Sequence, residues 1–277
     1  MDWSKTKTIF ILVFLIMNVF LYSLYLDRYQ EAQNVEELGE KSIETRLKDD
    51  KITHPVFSNS PNAISYISAE ILNFKEANLT LTNQDFYFYN NDTRLHSTLI
   101  KPVKLRNVKD NDSFREFVSE SVYKGTDYAL WEINRDERKA TFFQRVKDRT
   151  IYYNEHGLLE VYWNERNEVT RYEQTLLKNI QSLEQSDNVM PESQVVRALY
   201  DRGLLRPETT IVHMKLGYST LVPLTETQVF VPTWEVRLQL PDDTIETYFV
   251  NNSVEGKVVD LTSSREETKE TDLEEKD

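Results

Sequence analysis

Two short motifs in the sequence match two of the three motifs of the serine enzymes that recognise penicillin. Those enzymes combine Ser-x-x-Lys, Ser-Asp-Asn and Lys-Thr-Gly for nucleophilic acyl transfer. Residues 121–124 supply the first motif and residues 186–188 the second, but residues 215–217 read Lys-Leu-Gly and lack the hydroxyl group of the third. Ser121 is also predicted to end a helix, whereas the nucleophile should begin one. We therefore assign no catalytic residue from these motifs.

The histidines and cysteines predict neither a metal site nor a cofactor. The chain has no cysteine and only four histidines. His54 precedes a proline, His156 precedes a glycine, His213 lies on a predicted strand, and no two histidines have a metal-ligand spacing. The absence of cysteine also excludes thiol catalysis, disulfides and cysteine-ligated iron-sulfur clusters.

Carboxylates and aromatic residues leave an alternative function open. The 46 Asp and Glu residues offer many pairs for glycoside hydrolysis, although a solvated acidic surface explains any given pair more simply. The aromatic residues at 86–89, 152–153 and 162–163 could form a platform for a glycan. At strand spacing, such residues more often belong to a core or cover a sheet.

The charge balance argues against nucleic acid as a partner. The 277 residues include 33 Lys and Arg against 46 Asp and Glu, which gives a net charge of −13. Binding to phosphates needs clustered cationic side chains instead.

An uncharged apolar run at residues 9–26 predicts a transmembrane helix. As a helix, the run is about 27 Å long, just enough to cross a bilayer. Two lysines precede it against one aspartate, whereas Asp27 and Arg28 cancel on the other side, so we expect the N-terminus in the cytoplasm. The length of the run and the lack of a small-x-small cleavage site favour an uncleaved anchor over a secretory signal.

Side chains of this span are the candidates for contact with partner helices. Asn18 is its only amide, either a tolerated polar residue or the donor of an interhelical hydrogen bond worth about 0.6–2 kcal/mol. The sequence does not decide which face of the helix is in contact. The candidates are Ile9, Phe10, Val13, Phe14, Met17, Asn18 and Leu21.

Hydropathy patterning divides the chain into six segments and predicts an α+β body after the single transmembrane helix. The segments are a cytoplasmic stub (1–8), the transmembrane helix (9–26), a helical juxtamembrane stalk (27–51), a first α+β unit (52–180), a second α+β unit (181–261) and an acidic tail (262–277). We expect disorder in the tail, because it has seven acidic and three basic residues and no apolar run.

The two α+β units are predicted to be related, since each runs from one helix into an antiparallel meander. The first unit has a helix at 113–125, opened by a capping box at 113–116, and strands at 128–134, 140–146, 150–154, 158–164 and 169–176. The second has a helix at 191–203 and strands at 209–221, 229–240, 244–251 and 256–261. A further helix is expected near residues 63–74 and a further strand at 85–89.

The strand at 229–240 predicts a sheet with one buried and one solvated face. Trp234, Val236 and Leu238 alternate with Glu235 and Arg237, which places the apolar and the charged side chains on opposite faces.

The beginning of the chain resembles the YycI proteins of low-GC Gram-positive bacteria. The resemblance rests on residues 1–10, Met-Asp-Trp-Ser-Lys-Thr-Lys-Thr-Ile-Phe, and continues in a weaker pattern around Leu216, Gly217, Tyr218, Trp234 and residues 248–256. It covers essentially the whole chain.

The resemblance implies a regulator rather than an enzyme. YycI proteins and the related YycH proteins are accessory to the essential YycFG (WalRK) two-component system, which controls cell-wall metabolism. The implied partners are a YycH-like protein and the sensor histidine kinase YycG (WalK), with a homodimer expected when the partner is absent. The implied location is the cell membrane, with a single pass, and the implied fold is that of the two C-terminal domains of YycH. An extracytoplasmic glycan-binding module or wall-modifying enzyme is the alternative.

Overall fold

The computed structural model describes residues 3–34, 42–58, 63–108, 110–224, 226–251 and 257–259. The chain forms two compact units, Met1–Asp50 and Lys51–Asp277. The first unit contains helices α1 (Trp3–Asn34) and α2 (Ile43–Asp49). α2 begins after Ser42, whose Oγ accepts a hydrogen bond from the backbone N–H of Thr45 at 3.3 Å. This contact satisfies one of the donors that the first helical turn leaves unpaired.

The apolar run lies in α1, and its described side chains from residue 10 to residue 24 are exposed. Within the described residues, no helix is long and apolar enough to cross a membrane. The span predicted at residues 9–26 is therefore not confirmed and stays a prediction. Of the predicted stalk, the residues in α1 and α2 are helical, whereas residues 35–41 lie outside the described residues, as does the predicted tail at 262–277.

The described residues of the second compact unit, Lys51–Asp277, form two α-helices and a large sheet, and the predicted α+β class is confirmed. The helices are α3 (Asn111–Ser121) and α4 (Glu192–Asp201). The strands are β1 (Ala63–Ile71), β2 (Gln84–Tyr89), β3 (Arg94–Lys104), β4 (Tyr128–Asn134), β5 (Lys139–Val146), β6 (Arg149–Tyr152), β7 (Leu158–Trp163), β8 (Glu168–Gln174), β9 (Leu177–Asn188), β10 (Thr210–Pro223), β11 (Thr227–Gln239), β12 (Ile245–Asn251) and β13 (Lys257–Val259).

The sheet joins two antiparallel sets of strands. Its order is β13-β12-β11-β10-β6-β5-β7-β8-β3-β2, with β4 paired to β5 and β1 paired to both β9 and β11. α3 precedes the antiparallel strands β4, β5, β7 and β8, and α4 precedes β10 to β13. The first half of this unit runs from α3 to β8, and the second half runs from α4 to β13. Each half leads from a helix into antiparallel strands, and a duplication that produced the two halves stays a prediction.

The core of the first half lies between α3 and the sheet. Phe114, Phe117 and Val118 of α3 belong to the same buried cluster as Phe142 of β5 and Tyr172 of β8. Burying a side chain of this size contributes about 1.5–3 kcal/mol, so these contacts hold α3 on the sheet. The predicted capping box is wrong, because α3 is capped by Asp110, whose side chain accepts the Asp112 N–H at 3.0 Å.

The predicted helix at residues 63–74 is also wrong, because residues 63–71 form strand β1. β1 lies between β9 and β11, and most of its apolar side chains are buried. Ile64, Ile67 and Ile71 are spaced three and four residues apart, which is the spacing of an apolar helix face and favours a helix over a strand.

A short parallel pairing joins the two halves. Tyr218 and Ser219 of β10 lie in register with Ile151 and Tyr152 of β6, and all other strand pairs among the described residues are antiparallel. A Cβ atom on Gly217 would lie 2.4 Å from the carbonyl oxygen of Thr150 and 2.4 Å from Cε2 of Tyr152. Glycine is therefore required for the strands to approach this closely.

We expect the Gly217→Ala substitution to lower the free energy of unfolding of the second unit by about 1–3 kcal/mol, because the added methyl group must displace β6 or Tyr152. Urea unfolding followed by tryptophan fluorescence measures this loss. The control is Gly203→Asn, since no atom lies within 4 Å of a Cβ there and asparagine tolerates its left-handed φ of +70°. A Gly217→Ala variant as stable as the control would contradict the close approach of β6 and β10.

Candidate functional site

The side chains predicted to contact partner helices lie on α1. The side-chain Nδ2 of Asn18 donates to the carbonyl oxygen of Phe14 at 2.8 Å, so this amide has a partner within its own helix. The side chain of Ile9 lies outside the described residues, and contact with another helix stays a prediction for the whole set. The described members are exposed: Phe10, Val13, Phe14, Met17, Asn18 and Leu21.

The residues of the serine-enzyme motifs lie on separate elements. Ser121 is the last residue of α3, which ends four residues before the predicted helix end at 125, and Lys124 lies three residues further on in a left-handed backbone conformation. Lys215 lies on β10, and the side chains of residues 186–188 are outside the described part of the chain.

Each histidine has local partners of its own. His54 Nδ1 lies 2.8 Å from the carbonyl oxygen of Pro55, His156 Nε2 lies 3.4 Å from Glu155, and His96 stacks on Tyr87. His213 contacts Glu235. Among the residues that the structure describes, no group of three or more His, Cys, Asp or Glu side chains could hold a metal ion.

The aromatic residues proposed as a glycan platform do not form one surface. Tyr152 and Trp163 are buried. Phe86 and Tyr87 are exposed on β2, but as neighbours in a strand they point to opposite faces of the sheet.

A cleft of about 880 Å³ in the second unit gathers charged side chains from several elements. Its walls come from α3, β4, β5, β6, β10 and β11, and cationic side chains outnumber carboxylates there although the chain as a whole carries a charge of −13. The cations are Arg115, Arg135, Arg145, Lys215 and Arg237, beside His213, and the carboxylates are Glu116, Glu132 and Glu235.

Glu235 is the buried carboxylate of this cleft, with only 3% of the residue exposed. Its Oε2 accepts a hydrogen bond from the Tyr152 hydroxyl at 3.1 Å. Its Oε1 lies 3.0 Å from His213 Nε2 and 3.1 Å from Arg237 Nη2. Because an ionised carboxylate only accepts hydrogen bonds, the His213 Nε2 atom carries a proton. Three donors on three strands therefore share one buried charge.

These contacts decide the ionisation of Glu235. Burial opposes the charged form, but the hydrogen bond from His213 and the positive charge of Arg237 outweigh it, so the pKa of Glu235 lies below its ordinary value. Burial, together with the nearby Glu235, raises the pKa of the Tyr152 phenol. Glu235 is thus a fixed negative charge and Tyr152 a fixed donor at neutral pH.

An aromatic cluster encloses this charge. Trp131 lies at an irregularity in the pairing of β4 with β5, where the register shifts between Leu130 and Glu132. Its ring lies 5.3 Å from Phe143 and 5.8 Å from Tyr152 between ring centroids. The Arg237 guanidinium lies 5.2 Å from the centroid of Trp131. A bulge commonly redirects a side chain, and here it places Trp131 beside the Glu235 network.

The burial of Glu235 corrects the sequence prediction for β11. Trp234, Val236 and Leu238 are buried as predicted, but the opposite face, predicted to be solvated, is covered at Glu235. The signal in the sequence was the alternation itself, which fixes which residues share a face. It did not reveal that Tyr152 and Trp131, which are far away in the sequence, cover that face.

We expect Glu235→Gln to lower the free energy of unfolding by about 1.5–3 kcal/mol near pH 7, because His213 and Arg237 lose a charged acceptor. The pKa of Glu235 is lower in the folded state than its ordinary value of 4.5. Its contribution to the free energy of unfolding is therefore fully present above pH 4.5 and is lost as the pH falls below 4.5. Urea unfolding near pH 7 and at about pH 3 should therefore show the wild type and the variant converging in acid.

The matched control is Glu132→Gln, since Glu132 lines the same cleft but is exposed and has no ion pair among the described residues. Its stability should differ from that of the wild type by about 0.5 kcal/mol or less at either pH. An equal loss in the two variants, or a loss in Glu235→Gln that persists in acid, would be inconsistent with the buried charge.

Comparisons with known proteins identify the family. Residues 30–252 match the family described as YycI protein. Among solved structures, an uncharacterized protein from Eubacterium rectale ATCC 33656 has a TM-score of 0.44 and 9% identity, covering 75% of this chain and 89% of that chain. YycH from Bacillus subtilis has a TM-score of 0.40 and 12% identity, with 75% and 54% covered. No curated protein matches the chain. Because the family match spans well over half of its length, the chain belongs to the YycI family.

Proposed function

We propose that this protein is a membrane-anchored accessory regulator of the sensor histidine kinase in the YycFG (WalRK) two-component system. It acts in complex with a YycH-like protein and contacts the kinase YycG (WalK). The observation that carries this proposal is the family match over residues 30–252. A homodimer forms when the YycH-like partner is absent.

The anchor in this proposal is α1. Its residues 10–24 are exposed and carry no charge, which is unfavourable in water and suits a lipid environment. Lysines 5 and 7 on the N-terminal side favour a cytoplasmic N-terminus, so the second unit lies outside the cell. The protein is thus a single-pass protein of the cell membrane.

Regulation follows from differential binding. If α1 associates more tightly with one of two kinase conformations, the population of that conformation rises. A difference of about 1.4 kcal/mol in binding free energy changes the ratio of the two conformations about tenfold. No reaction catalysed by the regulator itself is needed.

The contact through Asn18 contributes little in this account. One N–H of the Asn18 amide already donates to Phe14 within α1, so only its second N–H and its Oδ1 remain for an interhelical hydrogen bond. We expect its contribution at the low end of the range for such bonds, about 0.6 kcal/mol. Packing of the apolar side chains must therefore supply most of the association.

The state of Glu235 supports a role without catalysis. A general acid or base needs a pKa near the working pH. The pKa of Glu235 is displaced in the opposite direction, and its oxygens already accept from three side chains.

Replacing residues 9–26 by leucines should reduce co-purification of the YycH-like protein and the kinase with the full-length protein by about tenfold, because polyleucine still spans a bilayer but changes the packing surface. Quantitative immunoblotting of detergent-solubilised membranes measures this. The control is Asn18→Leu alone, for which we expect a loss of about threefold or less. Retention of both partners by the polyleucine variant would count against contact through the membrane.

A further inference from the structure

The cleft of the second unit runs along the edge of a strand. Side chains alternate between the two faces of a strand, so a cavity on one face contacts every second residue. Six consecutive residues of β4, from Tyr128 to Ile133, line the cleft. Within the described residues, β4 pairs with β5 alone. The cleft therefore follows the unpaired edge of β4.

An unpaired strand edge can bind an extended peptide. Its free N–H and C=O groups pair with the backbone of an added strand, and neighbouring side chains select the sequence. β4 is seven residues long, about 23 Å. The apolar side chains of Leu130 and Ile133 also line the cleft, so alternate apolar residues of an added strand would find apolar contacts.

The charges around this edge favour an acidic ligand. Arg135, Arg145 and Lys215 line the cleft, are exposed and form no ion pair with any described residue. Arg145 is held in place by hydrogen bonds from Nε and Nη2 to the carbonyl oxygen of Thr126, at 3.3 and 3.2 Å. These cations offer unneutralised charge in a protein that is acidic overall.

We propose that the cleft binds an extended acidic segment of a partner protein, which adds to β4 as a strand while its carboxylates pair with Arg135, Arg145 and Lys215. The ligand alternates acidic and apolar residues. The acidic residues 262–277 of this chain fit this description poorly, because Leu273 is their single strongly apolar residue.

The test uses the full-length protein in detergent and a fluorescent peptide of about ten residues that alternates Glu and Val. Anisotropy should show binding that is at least about tenfold tighter than that of the matching Lys-Val peptide and that weakens with added salt. Arg145→Glu with Lys215→Glu should weaken binding at least about tenfold. The matched control, Lys104→Glu with Arg166→Glu, makes the same charge change at exposed positions outside the cleft and should weaken it by about twofold or less.

Hydrogen exchange separates strand addition from attraction by charge alone. The bound Glu-Val peptide should slow the exchange of backbone amides within β4 by about tenfold or more, because an added strand pairs with them. Equal binding of the two peptides, an equal loss in the two double variants, or unchanged exchange in β4 would overturn the proposal. The proposal would also be overturned if a chain ending at Leu261 bound the peptide about fivefold more tightly than the full-length protein does. Residues 262–277 of the chain itself would then be the segment that occupies the cleft.

Discussion

The parallel contact between β6 and β10 is the constraint on which the rest of the second unit depends. On either side of it, the strands of this unit form antiparallel sets. The contact is two residue pairs long, and a side chain at Gly217 would have to displace β6 or Tyr152. It brings Tyr152 of the first half next to Glu235 of the second, so the charged cleft exists only because the halves are joined in this register.

Once the halves are joined, a carboxylate is removed from water. An isolated buried charge would cost several kcal/mol, and the sheet offsets this cost with donors from Tyr152, His213 and Arg237. Of these donors only Tyr152 belongs to the first half, so a change in the relative register of the two halves would remove its hydrogen bond to Glu235. The fold thus links the position of β10 to the shape of the cleft.

The local part of this fold could be predicted from the sequence, and the long-range part could not. The strand predicted at 128–134 coincides with β4, and the strands predicted at 158–164 and 244–251 match β7 and β12 to within one residue at either end, because alternation and turn residues are local signals. β1 was mistaken for a helix because its partners β9 and β11 are more than a hundred residues away. The cleft was missed for the same reason, since nothing near His213 in the sequence indicated Tyr152, Trp131 or Arg145.

Family membership, the uncharged apolar residues 10–24 of α1 and the charged cleft of the second unit together support our proposal that the protein acts by binding. The central claim is that it regulates a sensor kinase without catalysing a reaction. Autophosphorylation of the kinase, reconstituted in liposomes with the YycH-like protein, tests this claim most directly when measured with and without the full-length protein. The account predicts at least about a threefold change in the rate, in either direction, which depends on the native sequence of α1 and not on Glu132 or other exposed carboxylates. An unchanged rate in the presence of all three proteins would contradict it.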